Sequence, residues 1–264
     1  MNSNLLKICM FPQEIKWGDK DFNLLTLRNK LKDVHPETDL LILPETFSTG
    51  FMTGDKEEVR KLAERNTGKT IDFLKSLSHE NSLAISGSFI ADSGGSIYNR
   101  AFFIEPSGEE SFADKKHLFR MAGEDKVFSR GYDRLSVRYR GWNIAMIICY
   151  DIRFPVWCRN VLNQYDLLIV VANWPKARIS AWNQLLPARA VENEAYVCGV
   201  NCRGTDLNGV GFDGSTAAMD FKGKDISVRP EGSDLIYATL DLEKLTSFRA
   251  KFPAWEDADP FRLT

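Results

Sequence analysis

The chain has 264 residues, with 34 basic against 36 acidic side chains and a formal net charge of -2. That balance gives no electrostatic case for nucleic acid or an anionic membrane as a partner, and no apolar run approaches the ~20 residues needed to span a bilayer. Hydrophobic residues make up 44%, with 17 Phe and 6 Trp, so a core can form without disulfide staples.

Strand-like and helix-like segments alternate, and no shift of composition marks a linker, an internal repeat or a low-complexity tract. Residues 7–11 read as a strand, 21–34 as a helix carrying Phe22, Leu24, Leu25, Leu27 and Leu31, and 40–43 as the next strand. Helices are expected over 57–65 and 70–77, strands over 83–90 and 97–104, and a turn at Pro106, Ser107 and Gly108. The apolar run from Ile144 to Ile148 reads as a buried strand. Pro155 then opens a helix over 156–164, and a buried strand follows over 167–172. A helix over 181–194 should kink at Pro187, because proline lacks the helical donor and crowds the preceding turn. Strands over 196–201, 215–219 and 235–240 complete a pattern that predicts an α/β architecture.

Chemistry collects where these strands stop. Cys149 follows directly on the run that ends at Ile148, and Asp151 and Arg153 crowd in behind it. Glu45 ends the apolar stretch before it, and Lys115 and Lys116 follow a strand and turn. Taken singly, Cys149 reads as a small apolar filler, Glu45 as a turn carboxylate and Lys115 as a solvated charge. Taken together they form a coherent set. The carboxylate can accept the thiol's proton, and the ammonium can favour the thiolate and stabilise an oxyanion.

At these residues the chain resembles the nitrilase, or carbon–nitrogen hydrolase, superfamily. Three signatures carry the resemblance, in order: Pro44-Glu45 after a strand, Lys115-Lys116-His117-Leu118-Phe119, and Cys149-Tyr150-Asp151-Ile152-Arg153-Phe154-Pro155. It covers nearly the whole chain, from the first strand with Gln13 and Trp17, through Tyr98-Asn99-Arg100-Ala101, to Lys251-Phe252-Pro253-Ala254-Trp255. Residues 117–122, 172–175 and 252–259 look most like the bacterial omega-amidase branch.

The resemblance implies a four-layer α-β-β-α sandwich, with residues 1–264 as a single domain and a C-terminal tail from about residue 242. It implies Glu45 as general base, Lys115 as the oxyanion-side cation and Cys149 as nucleophile. The family's spacing selects Lys115 over Lys116; strand alternation adds only that one of two neighbours can enter the site. Glu124 fits a second glutamate that holds the lysine, with Asp125 as its competitor and a surface loop as the plain alternative. The Tyr150 N–H is the expected second oxyanion donor. Trp174 and Arg153 are candidate substrate contacts, and a buried salt bridge is the structural alternative for Arg153. Arg100, Arg120, Arg178, Arg189 and Arg203 are also available to hold a carboxylate. The implied reaction is hydrolysis of the terminal amide of a small α-keto dicarboxylate monoamide, such as 2-oxoglutaramate or 2-oxosuccinamate, through a cysteine thioester and without metal or organic cofactor. A nitrilase or an N-carbamoyl amidase would carry the same three residues, and a non-catalytic scaffold could keep the fold. The family commonly forms dimers, which implies a homodimer using the helix after Cys149 and the C-terminal tail.

Cys9, Cys149, Cys158, Cys198 and Cys202 are odd in number and scattered, which suits reduced thiols and a cytoplasmic protein. Residues 1–7 lack the basic start and long apolar stretch of a secretory signal. No histidine lies near Cys198 and Cys202 in sequence, so no metal site is expected. Residues 209–214 match the glycine pattern of a dinucleotide loop, but a strand-like stretch follows them instead of a helix, and they read as a flexible loop near the site. His117 reads as a hydrogen-bonded loop residue.

Overall fold

The computed structural model describes residues 4–259; the stretch at 1–3 and the end of the expected tail at 260–264 lie outside the described residues. One sheet has six strands in the order β13 (Ile236–Asp241), β1 (Leu5–Met10), β2 (Leu40–Ile42), β3 (Ala84–Ser93), β4 (Ser96–Ile104) and β5 (Glu110–Asp114). A second has five, in the order β12 (Ala217–Met219), β9 (Tyr196–Asn201), β8 (Leu167–Ala172), β7 (Trp142–Ile148) and β6 (Leu135–Tyr139).

The period-two alternation of side chains decides the layering. In β7, Ile144, Met146 and Ile148 face the other sheet and pack in one core with Leu6, Ile8 and Met10 of β1 and Leu167, Ile169 and Val171 of β8. The intervening Ala145 and Ile147 turn outward to α6 (Ile179–Asn193), where they meet Trp182, Leu186 and Ala190. On the opposite side Cys9, Leu41 and Ile85 pack on α1 (Lys20–Leu31) and α3 (Lys69–Asn81) through Leu24, Leu27, Ile71 and Leu74. Helix, sheet, sheet and helix follow in turn, as the resemblance implies. Each such large apolar side chain contributes about 1.5–3 kcal/mol by leaving water.

Several elements differ from the sequence expectation. The helix expected over 156–164 is a single turn, α5 (Pro155–Cys158), with Pro155 in its first turn. Leu162 and Asn163 take left-handed φ values of 51° and 54°. The Asn160 amide draws the chain back, accepting the Tyr165 N–H and donating to the carbonyls of Tyr165 and Asn193. α6 runs through Pro187, with Trp182, Leu186 and Ala190 on its buried face. Strand β6 was not anticipated; it pairs only with β7 at the sheet edge. The glycine pattern at 209–214 belongs to a hairpin, β10 (Arg203–Thr205) with β11 (Gly211–Asp213). Its turn is closed by Asp206 Oδ1, which accepts the N–H groups of Asn208 and Val210. The expected tail begins as α7 (Leu242–Lys251), capped by the Asp241 side chain and anchored by buried Leu245.

Candidate active site

Parallel pairing of β2 with β1 and β3, and of β8 with β7 and β9, brings several strand carboxyl ends to one rim. Cys149 follows β7 and Asn173 follows β8 in the second sheet; Glu45 lies just past β2 and Lys115 follows β5 in the first. All four line one cavity of about 740 Å³. The site is therefore assembled from both sheets.

Glu45 is 1% exposed and its carboxylate is held on both oxygens. Oε1 accepts from Lys115 Nζ at 3.0 Å and Asn99 Nδ2 at 2.7 Å, and Oε2 accepts the Asn173 N–H at 2.8 Å. Lys115 Nζ also donates to both oxygens of Glu124, at 2.9 and 3.0 Å, and the Phe119 N–H donates to the same carboxylate. Glu124, not exposed Asp125, is thus the carboxylate on the lysine. Lys116 turns away, its ammonium 5.0 Å from the Trp157 ring centroid. Gly131 makes room behind this strand end: its N–H donates to the Lys115 carbonyl at 2.7 Å, and a Cβ there would lie 2.0 Å from the Asp114 carbonyl oxygen.

Burial opposes the Lys115 charge, but the carboxylates of Glu124 and Glu45 outweigh it and hold the ammonium above its ordinary pKa. For Glu124 burial is the largest influence and raises the pKa, against the pull of the Lys115 ammonium. Cys149 is reached through the cavity yet deeply enclosed, and burial, then the Glu45 carboxylate, push its thiol well above the ordinary value. The Lys115 ammonium favours the thiolate, as expected, but it also faces the carboxylates of Glu45 and Glu124, and burial and the Glu45 charge outweigh it.

Cys149 itself has φ +48°, in the left-handed region that a non-glycine residue rarely adopts, at a cost of about 1–3 kcal/mol. Asp151 holds the turn. Its Oδ2 accepts the Ile148 N–H at 3.1 Å, and its Oδ1 accepts the His117 N–H at 2.9 Å and lies 2.8 Å from His117 Nδ1. The His117 ring stacks on Phe154 at 3.7 Å, so the residue braces the loop. Tyr150 lies in the first turn of the 3-10 segment Cys149–Arg153, where no helical carbonyl is available to its N–H.

The sequence pattern of the carbon-nitrogen hydrolase family matches residues 7–250. This chain belongs to the carbon–nitrogen hydrolase family. Omega-amidase YafV of Escherichia coli (strain K12) is 39% identical over 98% of both chains. A 2-oxoglutaramate amidase of Bacillus subtilis (strain 168) is 27% identical, with 92% of this chain and 94% of that protein covered. Among solved structures, XC1258 of Xanthomonas campestris, a superfamily protein with an arsenic adduct in its active site, superposes with a TM-score of 0.92. The two are 35% identical, with 98% of this chain and 99% of the other covered.

Trp174, which is 3% exposed, also lines the hydrolase cavity. Asn201 fixes it from both sides, accepting the Trp174 N–H at 2.7 Å and donating to its carbonyl at 2.9 Å. The Arg153 guanidinium lies 4.9 Å from the Trp174 ring centroid and is exposed to the cavity. It is not the buried salt bridge that sequence left open. Arg100 is gripped by Asp114 at 2.7 and 2.9 Å, Arg189 by the Ile152 carbonyl and Glu192, and Arg203 by the Pro12 carbonyl and Asp234. Arg120 does not line the cavity, whereas Arg178 does. Sequence reasoning assigned no role to Asn99, Asn173 or Asp151, whose contacts join positions up to 128 apart in sequence. Among the described residues no group of His, Cys, Asp and Glu could hold a metal ion, and no helix is long and apolar enough to cross a membrane.

Proposed function

We propose that this hydrolase is an omega-amidase that acts on small α-keto dicarboxylate monoamides through Cys149. The observation that carries the reading is a thiol that lines one cavity with Glu45 and Lys115, the carboxylate and ammonium bonded to each other at 3.0 Å, together with two guanidiniums without carboxylate partners among the described residues. The names of the Escherichia coli and Bacillus subtilis relatives support it.

In this scheme Glu45 takes the thiol proton as Cys149 Sγ attacks the amide carbon, so the net charge of the enclosed groups does not rise before the oxyanion forms. Lys115 and the Tyr150 N–H stabilise that oxyanion, each on the order of 3 kcal/mol. Collapse breaks the C–N bond, Glu45 returns its proton to the leaving nitrogen, and ammonia departs from a thioester. Glu45 then deprotonates the water that hydrolyses the acyl-enzyme. Asn99 and Asn173 aim the carboxylate, and Glu124 holds the lysine.

Ammonia release should be much faster from 2-oxoglutaramate than from glutamine, an aliphatic nitrile or an N-carbamoyl amino acid. Faster release from the nitrile or the carbamoyl compound would replace the omega-amidase reading with one of those activities, and no release from any would favour a scaffold. We further propose a cytoplasmic homodimer. The five free cysteines support the compartment. Exposed Val156, Val161, Leu162 and Phe252, near the contact between the turns Val161–Asn163 and Ala254–Asp257, support the interface. Light scattering on the purified chain reads the mass directly.

A further inference from the structure

Two guanidiniums line the cavity, each over its own aromatic ring, and Trp174 links them through the Arg178 backbone. Arg153 lies over the Trp174 ring, and the Trp174 Nε1–H donates to the Arg178 carbonyl at 2.8 Å. The Arg178 guanidinium sits 5.2 Å from the centroid of Phe119, whose N–H is tied to Glu124. Trp174 is itself clamped by Asn201 and packed on Trp182 at 5.5 Å. Both arginines also border a second hollow with Ser180 and Gln184, so they stand between the two. Aromatic faces offset part of the cost of leaving two such cations unpaired. An anion bound by both would offset more.

We propose that Arg178 is a specificity-determining residue of this hydrolase: with Arg153 it forms a clamp for an α-keto carboxylate and excludes the α-amino analogue. The proposal rests on the omega-amidase reading and deepens it. An α-keto acid presents two carboxylate oxygens and a neighbouring carbonyl oxygen, all acceptors, to guanidiniums that are donors only. Replacing the keto oxygen by an ammonium puts a third positive charge and three donors against the same wall. Glu58, the exposed carboxylate that also lines the cavity, is the group such an ammonium would use instead.

The test is kcat/KM for ammonia release by the wild type, Arg178→Gln and Arg178→Lys on 2-oxoglutaramate, glutamine and uncharged valeramide. Arg178→Gln should lose about thirtyfold on 2-oxoglutaramate, chiefly in KM, with valeramide within about twofold, and the keto-to-amino ratio should fall about tenfold. Arg178→Lys should restore part of the loss, since it returns the charge without the fork. Equal losses on 2-oxoglutaramate and valeramide, or no loss at all, would overturn the assignment. So would a wild type that prefers glutamine and loses that preference in Glu58→Gln. Protection of Cys149 from alkylation by 2-oxoglutarate gives a readout that needs no turnover. Loss of that protection in Arg178→Gln supports the clamp even if the substrate panel rejects an omega-amidase, and equal protection in both proteins refutes it while leaving the reaction assignment standing.

Discussion

Where Glu45 and Lys115 line the cavity, with Glu124 behind the lysine, the three side chains are at most 2% exposed and joined through Lys115, whereas elsewhere in its lining Met121 is 87% and Leu207 72% exposed. The buried part is a fixed arrangement of charge, each ion held by partners from a different element. That is what charge stabilisation in a dry site demands, because the dipoles must be in place before the reaction begins. The exposed part is solvent-facing and includes apolar Leu207 from the turn of the β10–β11 hairpin and Met121 from the 3-10 turn Arg120–Ala122. Arg153 over Trp174 and Arg178 over Phe119 line the same cavity. Chemistry and selectivity thus fall to different parts of the lining, and substitutions should separate them.

The largest effects belong in the buried part. Cys149→Ala should lose activity by about 10⁴-fold or more while circular dichroism and melting temperature stay near the wild type, since little volume is removed. Lys115→Ala should be severely impaired and Lys116→Ala nearly normal in the same assay; the reverse order would mean that the wrong lysine has been identified. Next comes Glu124→Gln, which keeps the shape but removes one of the charges on Lys115. It should lower kcat about a hundredfold with little change in KM, and also lower the melting temperature, because one side of a buried ion pair is left uncompensated. In the exposed part, Met121→Ala and Leu207→Ala should change kcat/KM by less than about threefold. A substitution there that costs kcat as much as Glu124→Gln would erase the distinction.

The smallest effect concerns stability. Burial pushes the Cys198 thiol up to about 12 from an ordinary 9.0. The unfolded thiol ionises above pH 9 and the folded one does not, so the contribution is fully present below that pH and is lost as pH rises toward 12. Cys198→Ala should flatten the fall of unfolding free energy in that window by up to about 1.4 kcal/mol per pH unit, read from urea titrations at several pH values.

Glu45 and Cys149 stood out because each stands where an apolar strand meets polar chain, whereas Lys115 follows the polar strand β5 and was picked out by the family spacing. The α/β class followed from the alternation of segments and the four layers from the family resemblance; strands such as β8, apolar on both faces, fit a sheet covered twice. What sequence did not reveal were side-chain bonds between distant segments. Asn173 grips Glu45 and Asp151 grips His117, but an asparagine or aspartate after a strand reads equally well as a turn residue. The expected helix after Pro155 failed because Asn160 competes for the backbone, and a helical pattern of apolar residues does not record such a competitor.

The division of the site between two sheets has a consequence for how activity is gained and lost. Glu45, Asn99 and Lys115 belong to the sheet around β1, while Cys149 and Asn173 belong to the sheet around β8. Neither sheet alone carries both a nucleophile and its base. During refolding, therefore, turnover should return only when the apolar layer between the sheets has closed, later than the recovery of helical and strand signal. The reaction then serves as a built-in gauge of whether the two halves of the sandwich have docked in register, and a chain cut between β5 and β6 should be silent as separate pieces and active only after they reassociate.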